Sequence, residues 1–356
     1  MVFDASLGLV AAALISYFGI DLFRRFSLKR NWVDVPNERS SHQVATPRGG
    51  GLVVATVCLV GYSILGLLAP AGFSLGYIIG ATLVAAVSWL DDVYSIAFGW
   101  RLLVHFAAAA LIVATCGYWQ VVYLPTIGEI SFGAWGSFIT VIWIVWVINA
   151  YNFMDGIDGI AVIQALVAAA AWVVIASQSG AAVFFFFFLV LFGSCLGFLF
   201  HNWSPARIFM GDVGSAFLGF TFAAAPLILT RESVFQASLF PILAVLILWP
   251  FLFDTVLTIF RRLLKGKRIW SAHRDHLYQG LVIAGHKHSR VSIIYGLLAA
   301  ISSLSAILLF SSGPDIAPYL ISFVLFLTLV FAVFVFWSTR SNGQEEPTKA
   351  FGSDNV

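Results

Sequence analysis

Long apolar runs separated by short polar stretches dominate this chain. They fall near residues 5–23, 51–70, 74–90, 102–118, 135–150, 159–177, 182–200, 213–230, 236–257, 291–311 and 317–337. A helix rises 1.5 Å per residue, so roughly 20 apolar residues cross the hydrocarbon of a bilayer. The pattern predicts an all-α polytopic membrane protein with about 11 transmembrane helices. One membrane domain is expected over 1–338, followed by a polar, disordered tail over 339–356. The fifth run, Trp135–Ile148, is short for a span. The eighth and ninth contain Pro226, Pro241 and Pro250, which membrane helices tolerate where neighbours satisfy the freed carbonyls. The phenylalanine run Phe184–Phe188 reads as lipid-facing bulk.

Composition agrees with this pattern. The chain is 60% hydrophobic and only 10% charged, where a soluble domain carries roughly 25% charged residues. Eleven spans put the termini on opposite sides of the membrane. Of the 19 Lys and Arg residues, all but Arg231 lie in odd-numbered loops or the C-terminal tail. Positive charge stays inside, so the odd loops and the C-terminus are expected in the cytoplasm and the N-terminus outside. The basic residues Arg24, Arg25, Lys29 and Arg30 follow the first apolar run rather than precede it. That favours an anchor helix over a cleaved leader. Cys58, Cys116 and Cys195 stand singly in apolar runs, without metal or disulfide spacing.

The unusual polar clusters all fall on the side assigned to the cytoplasm. Residues 149–161, NAYNFMDGIDGIA, place Asn149, Asn152, Asp155 and Asp158 at every third position. On a helical or tightly turned path they share roughly one face. Asp91 and Asp92 are adjacent at the end of the third run, an arrangement suited to a hard cation such as Mg²⁺. Gly211-Asp212-Val213-Gly214-Ser215 opens the eighth run, and a helix N-terminus favours phosphate. Gly49-Gly50-Gly51 follows Pro47-Arg48, as a hinge or as backbone closely approaching a phosphate. His273 and His276 sit among Arg261, Arg262, Lys265, Lys267, Arg268 and Arg274, which suits an anionic diphosphate better than zinc. Each cluster alone has a bland reading as a turn, a helix cap or a topological charge. Their common side points instead to one phosphoryl-transfer site. No G-x-x-x-x-G-K-[ST] is present, so a P-loop is unsupported. Asp254, near the cytoplasmic end of the ninth run, is either functional or paired structurally with a basic neighbour.

On these motifs the chain, over about residues 36–295, resembles the polyprenyl-phosphate N-acetylhexosamine-1-phosphate transferases. These are bacterial membrane enzymes that include the initiators of enterobacterial and O-antigens. The HRDHLYQ form of the fifth cluster is closer to those initiators than to the phospho-MurNAc-pentapeptide translocase of peptidoglycan synthesis. The resemblance implies transfer of a HexNAc-1-phosphate from a UDP-N-acetylhexosamine to undecaprenyl phosphate, with Mg²⁺ or Mn²⁺, releasing UMP. It implies a multi-pass protein of the bacterial inner membrane with a cytoplasmic catalytic face, in contact with membrane lipid and not with nucleic acid. A homodimer is compatible with it.

Carried over by motif, Asp91, Asp92, Asp155 and Asp158 are the expected catalytic carboxylates, and Asp212 with Asn152 the expected metal ligands. His42, Arg48, Gly49, Gly50, Asn149, His273 and His276 are the expected substrate contacts. A general base among the aspartates gains little. The second ionisation of a phosphate monoester lies near pH 6, so the nucleophile is mostly deprotonated at pH 7. The rival from another class is a secondary transporter. It would place its carboxylates near the bilayer midplane, often within inverted repeats, whereas here they cluster at one face and no repeat is visible.

Overall fold

The computed structural model describes residues 2–36, 44–267 and 273–342. Its helices are α1 (Val2–Lys29), α2 (Gly51–Leu68), α3 (Leu75–Tyr94), α4 (Phe98–Cys116), α5 (Trp135–Phe153), α6 (Ile160–Ser179) and α7 (Ala182–Asn202). They continue with α8 (Asp212–Leu229), α9 (Phe240–Ile247), α10 (Trp249–Leu264), α11 (Leu277–Ile283), α12 (His288–Ser312) and α13 (Ala317–Asn342). Ten helices among the described residues are long and apolar enough to cross a membrane. The eleventh expected span, the ninth in order, is α9 and α10 together, bent by 70° where they join.

The bend has a local cause. Pro250 in the first turn of α10 has no amide to donate, and Phe251 N–H bonds to Leu248 instead of to Ile247. The Ile247 carbonyl is thereby freed, and Gln164 of α6 donates to it at 2.9 Å. A buried amide on a neighbouring helix thus satisfies the broken ladder, as apolar surroundings require. The fifth span is longer than expected, because α5 continues to Phe153, past the end of the apolar run 135–150.

Helix α8 is buried along almost its whole length and forms the axis of the bundle, packed by α2, α3, α5 and α9. Its small residues make this geometry available, since without a water-driven collapse membrane helices associate by close van der Waals approach. A Cβ added to Gly214 would lie 2.7 Å from Gly51 Cα of α2, and one on Gly219 would lie 2.9 Å from Ile148 Cα of α5. The phenylalanine run is corrected by the structure. Phe184, Phe187 and Phe188 are fully buried, packed with Trp172, Tyr62, Tyr77 and Phe222. Only the intervening Phe185 and Phe186 are partly exposed.

Two short antiparallel pairs tie loops down. β1 (Val33–Asp34) pairs with β2 (Thr46–Pro47), and β3 (Val121–Leu124) forms a hairpin with β4 (Gly128–Ser131). α13 extends to Asn342, past the expected start of the tail, and residues 343–356 lie outside the described residues.

Candidate active site

The ends of α3, α4, α5, α8, α10 and α12 that carry the polar motifs meet at one end of the bundle. At their centre stands a residue that the motifs did not single out, Arg101 in the first turn of α4. Its guanidinium bonds to the carboxylate of Asp91, lies 2.9 Å from Asp212 Oδ2, and reaches Asn152 Oδ1 at 3.4 Å. Asn152 in turn donates to Ser215 Oγ at 2.9 Å. One cation therefore joins α3, α4, α5 and α8 through three of the expected site residues.

Adjacent aspartates do different work. Asp91 accepts from Ile96 N–H at 2.7 Å and pairs with Arg101. Asp92 turns the other way and is buried. Its two oxygens accept the Asp212 and Val213 amides, each at 3.1 Å, so it closes the N-terminus of α8 where a negative charge is stabilised. Arg48 donates to the Asp92 backbone carbonyl. Gly49 and Gly211 both have positive φ and approach each other closely; a Cβ on Gly211 would sit 2.7 Å from Asp92 Oδ2 and 3.0 Å from Gly49 Cα. Gly50 N–H donates to Phe209 O at 3.0 Å. Here the glycines serve backbone approach, and the Gly50 amide is not free for a phosphate.

The three-residue repeat is not one helical face, because α5 ends at Phe153. Asn149 and Asn152 lie on α5, where Asn149 donates to Val145 O at 2.7 Å and stands 3.4 Å from His105 Nδ1. Asp155 and Asp158 follow in the loop. Burial, then the charges of Asp212, Asp92 and Asp158, push Asp155 well above the ordinary carboxylate range. Burial acts on Asp158 in the same direction. There it is outweighed by His288, whose Nδ1 lies 3.4 Å from Asp158 Oδ2, and by the Ala206 amide, so Asp158 is held low. Gly156 leaves room for Tyr278 against this loop: a Cβ there would strike the Tyr278 hydroxyl, which donates to Phe153 O at 3.1 Å.

The basic cluster is divided as well. His276 Nδ1 lies 3.0 Å from Asp254 Oδ1, and the rings of His273 and His276 stack at 5.1 Å. Burial and the nearby charges of His276 and Arg262 lower His273 to about 4, so it is neutral near pH 7 and brings no charge to an anion. Arg262 pairs with Asp275. His42 lies outside the described residues.

Among the described residues no three His, Cys, Asp or Glu side chains form a ready metal cage. Mg²⁺ is typically held by one or two carboxylates together with substrate phosphates. The donor set fits that habit: Asp212 and Asn152 offer oxygens, and the carboxylates crowding Asp155 carry negative charge that a cation would relieve.

Residues 74–230 match the model of glycosyl transferase family 4. A Bacillus subtilis protein described as a probable undecaprenyl-phosphate N-acetylglucosaminyl 1-phosphate transferase is 30% identical over 338 residues, 93% of this chain and 92% of the relative. The chain belongs to this family of polyprenyl-phosphate N-acetylhexosamine-1-phosphate transferases. A decaprenyl-phosphate N-acetylglucosaminephosphotransferase of Mycolicibacterium smegmatis is 30% identical, over 95% of this chain and 90% of the relative. An Escherichia coli undecaprenyl-phosphate α-N-acetylglucosaminyl 1-phosphate transferase is 29% identical, over 92% and 89%. The family match spans α3 to α8 and so includes α3, α4, α5 and α8, the four helices that Arg101, Asn152 and Asp92 bind to one another.

Proposed function

We propose that this protein transfers N-acetylhexosamine-1-phosphate from a UDP-sugar to undecaprenyl phosphate, releasing UMP, at the cytoplasmic face of a bacterial inner membrane. The observation that carries this reading is the meeting of Asp91, Asn152 and Asp212 on Arg101. Phosphoryl transfer depends on positioning and charge stabilisation more than on covalent help from the protein, and this cluster supplies both. N-acetylglucosamine is the sugar carried in the relatives' names, which makes UDP-GlcNAc the first donor to test. The same chemistry would open the assembly of a cell-surface polysaccharide of the O-antigen kind.

In the reaction, a phosphate oxygen of the lipid attacks the sugar-bearing β-phosphorus of the donor. A new P–O bond forms and the bond to the bridging oxygen breaks, so UMP leaves with the electron pair. Asp212 and Asn152 would hold Mg²⁺, which when bound would offset charge on the diphosphate. Arg101 pairs with both Asp91 and Asp212 and keeps α4 against α8. Asp92 holds the first turn of α8 in place. No aspartate needs to take a proton from the nucleophile, since the lipid phosphate is already mostly dianionic at pH 7.

The test is UMP release by purified protein given undecaprenyl phosphate, Mg²⁺ and a panel of UDP-HexNAc donors. Metal-dependent release with one donor, lost in Asp212→Ala, is the expected result. Release that survives in folded Asp212→Ala, or no release with any donor, overturns it.

A further inference from the structure

Asp254 is wholly buried in the first turns of α10, just beyond the 70° bend, and the transfer chemistry gives it no task. It is nevertheless the most heavily bonded carboxylate of this end of the bundle. His276 Nδ1 lies 3.0 Å from Oδ1, the Leu277 amide 2.9 Å from Oδ1, the Tyr278 amide 3.2 Å from Oδ2, and the Tyr295 hydroxyl 2.5 Å from Oδ2. Thr258 Oγ1 donates to Oδ1 at 3.1 Å. The two backbone amides can only donate, and an ionised carboxylate only accepts. The proton shared with His276 therefore sits on Nδ1. That leaves Nε2 as the working nitrogen of the ring.

The imidazole cannot easily turn. Its ring is sandwiched between His273 at 5.1 Å and Tyr278 at 5.7 Å. Tyr278 also fastens this unit to the site, because its hydroxyl holds the Phe153 carbonyl two residues before Asp155. We propose that Asp254 is a positioning residue for sugar-phosphate transfer: by accepting the Nδ1 proton of His276 it fixes that ring with Nε2 turned to the phosphate-bearing substrates. The carboxylate acts through His276 and touches no substrate. A partner on the second nitrogen commonly sets both tautomer and orientation of a working histidine.

This inference rests on the transfer reaction proposed above, and a double-mutant cycle separates the two. UMP release is measured for wild type, Asp254→Asn, His276→Ala and the double variant, with thermal unfolding of each in detergent. Each single variant should lose about tenfold or more in kcat/KM, as removal of such a partner typically does. The double variant should match His276→Ala to within about twofold, the scatter expected of such cycles. Losses that multiply in the double variant overturn the proposal, because Asp254 would then act other than through His276. Wild-type protein that releases no UMP overturns the transfer reading instead. The positioning claim is then decided by ¹⁵N-histidine spectra of the wild-type protein, which also serve if Asp254→Asn does not fold. A His276 proton on Nδ1 supports it, and a bare Nδ1 overturns it.

Discussion

The close approach of α2 and α8 gives the sharpest prediction. α2 begins at Gly51 and α8 at Asp212, and Gly51 N–H donates to Met210 O at 2.9 Å. A Cβ placed on Gly51 would lie 2.6 Å from Gly214 N and 2.9 Å from Met210 O, both backbone atoms. Carbon contacts are comfortable at about 3.5–4.0 Å, and the added Cβ would fall closer still to Gly214 Cα, so Gly51→Ala must push α2 and α8 apart by more than about 1 Å. No flexible side chain is available to absorb that shift. Overpacking of this kind costs about 1–3 kcal/mol. The displacement falls on the turn whose Asp212 and Val213 amides bond to Asp92 and whose Asp212 carboxylate meets Arg101. A misplacement of about 1 Å near reacting groups can cost on the order of 100-fold in rate. Gly51→Ala should therefore lower the melting temperature in detergent by several degrees and cut UMP release by one to two orders of magnitude. Gly8, which has nothing within 4 Å of an added Cβ, supplies the control, since Gly8→Ala should change neither. A Gly51→Ala protein with wild-type melting and turnover would refute the close-packing account of how α8 is held.

Arg101→Gln removes the cation between Asp91 and Asp212 and should abolish most activity. Its destabilisation should be about 2 kcal/mol, below the 3–5 of a deeply buried pair because Arg101 keeps some exposure; turnover and thermal unfolding measure both. Asp92→Asn and Asp91→Asn should separate in stability. Asp92→Asn turns one of its oxygens, each the acceptor of an α8 amide, into an amide nitrogen, and should melt lower, whereas Asp91→Asn loses chiefly activity. Asp155→Asn should raise thermal stability near neutral pH while lowering turnover. The raised Asp155 favours the protonated form in the folded protein, so ionising it costs stability as pH rises from the ordinary value of 3.8 toward the folded one. The difference between variant and wild type should shrink as pH falls to that range, and a stability gap that is flat with pH would contradict it.

Much of this architecture was legible in the apolar runs, because a bilayer imposes a minimum length and forbids unpaired backbone. Most helix ends fall within a few residues of the run boundaries. The Phe184–Phe188 run shows where that logic fails. Lipid and protein interior are equally apolar, so hydrophobicity cannot say which side of α7 faces neighbours. The same blindness hid the bend after Ile247, whose proline is visible but whose remedy, Gln164, lies 83 positions away. In the site, the motif carboxylates and Asn152 could be chosen from their improbability in an apolar chain. Arg101 could not. It reads as a single topological charge until folding sets it against residues 10, 51 and 111 positions distant. The unpaired count of acids near it was the available signal. His288, which holds Asp158, reads in the sequence only as one more histidine near the basic cluster.

The paired aspartates show how the fold divides one motif into two functions. Successive helical residues point in directions about 100° apart, so neighbours on a helix do not address the same atom. At the end of α3 this sends Asp91 toward Arg101 and Asp92 toward the start of α8. In this structure the two carboxylates have different partners and do not converge on one atom. The adjacency is better explained by geometry at a corner, where three helices must be fixed to one another. Asp91 secures α4 through Arg101, and Asp92 secures α8 through its free amides. Asp212 is thereby fixed from both sides, through its backbone by Asp92 and through its carboxylate by Arg101. A side chain so constrained would hold a cation for a diphosphate without first being ordered, which is how preorganised charge lowers a barrier. On this reasoning the pair is retained for the rigidity it gives Asp212, and proton transfer need play no part.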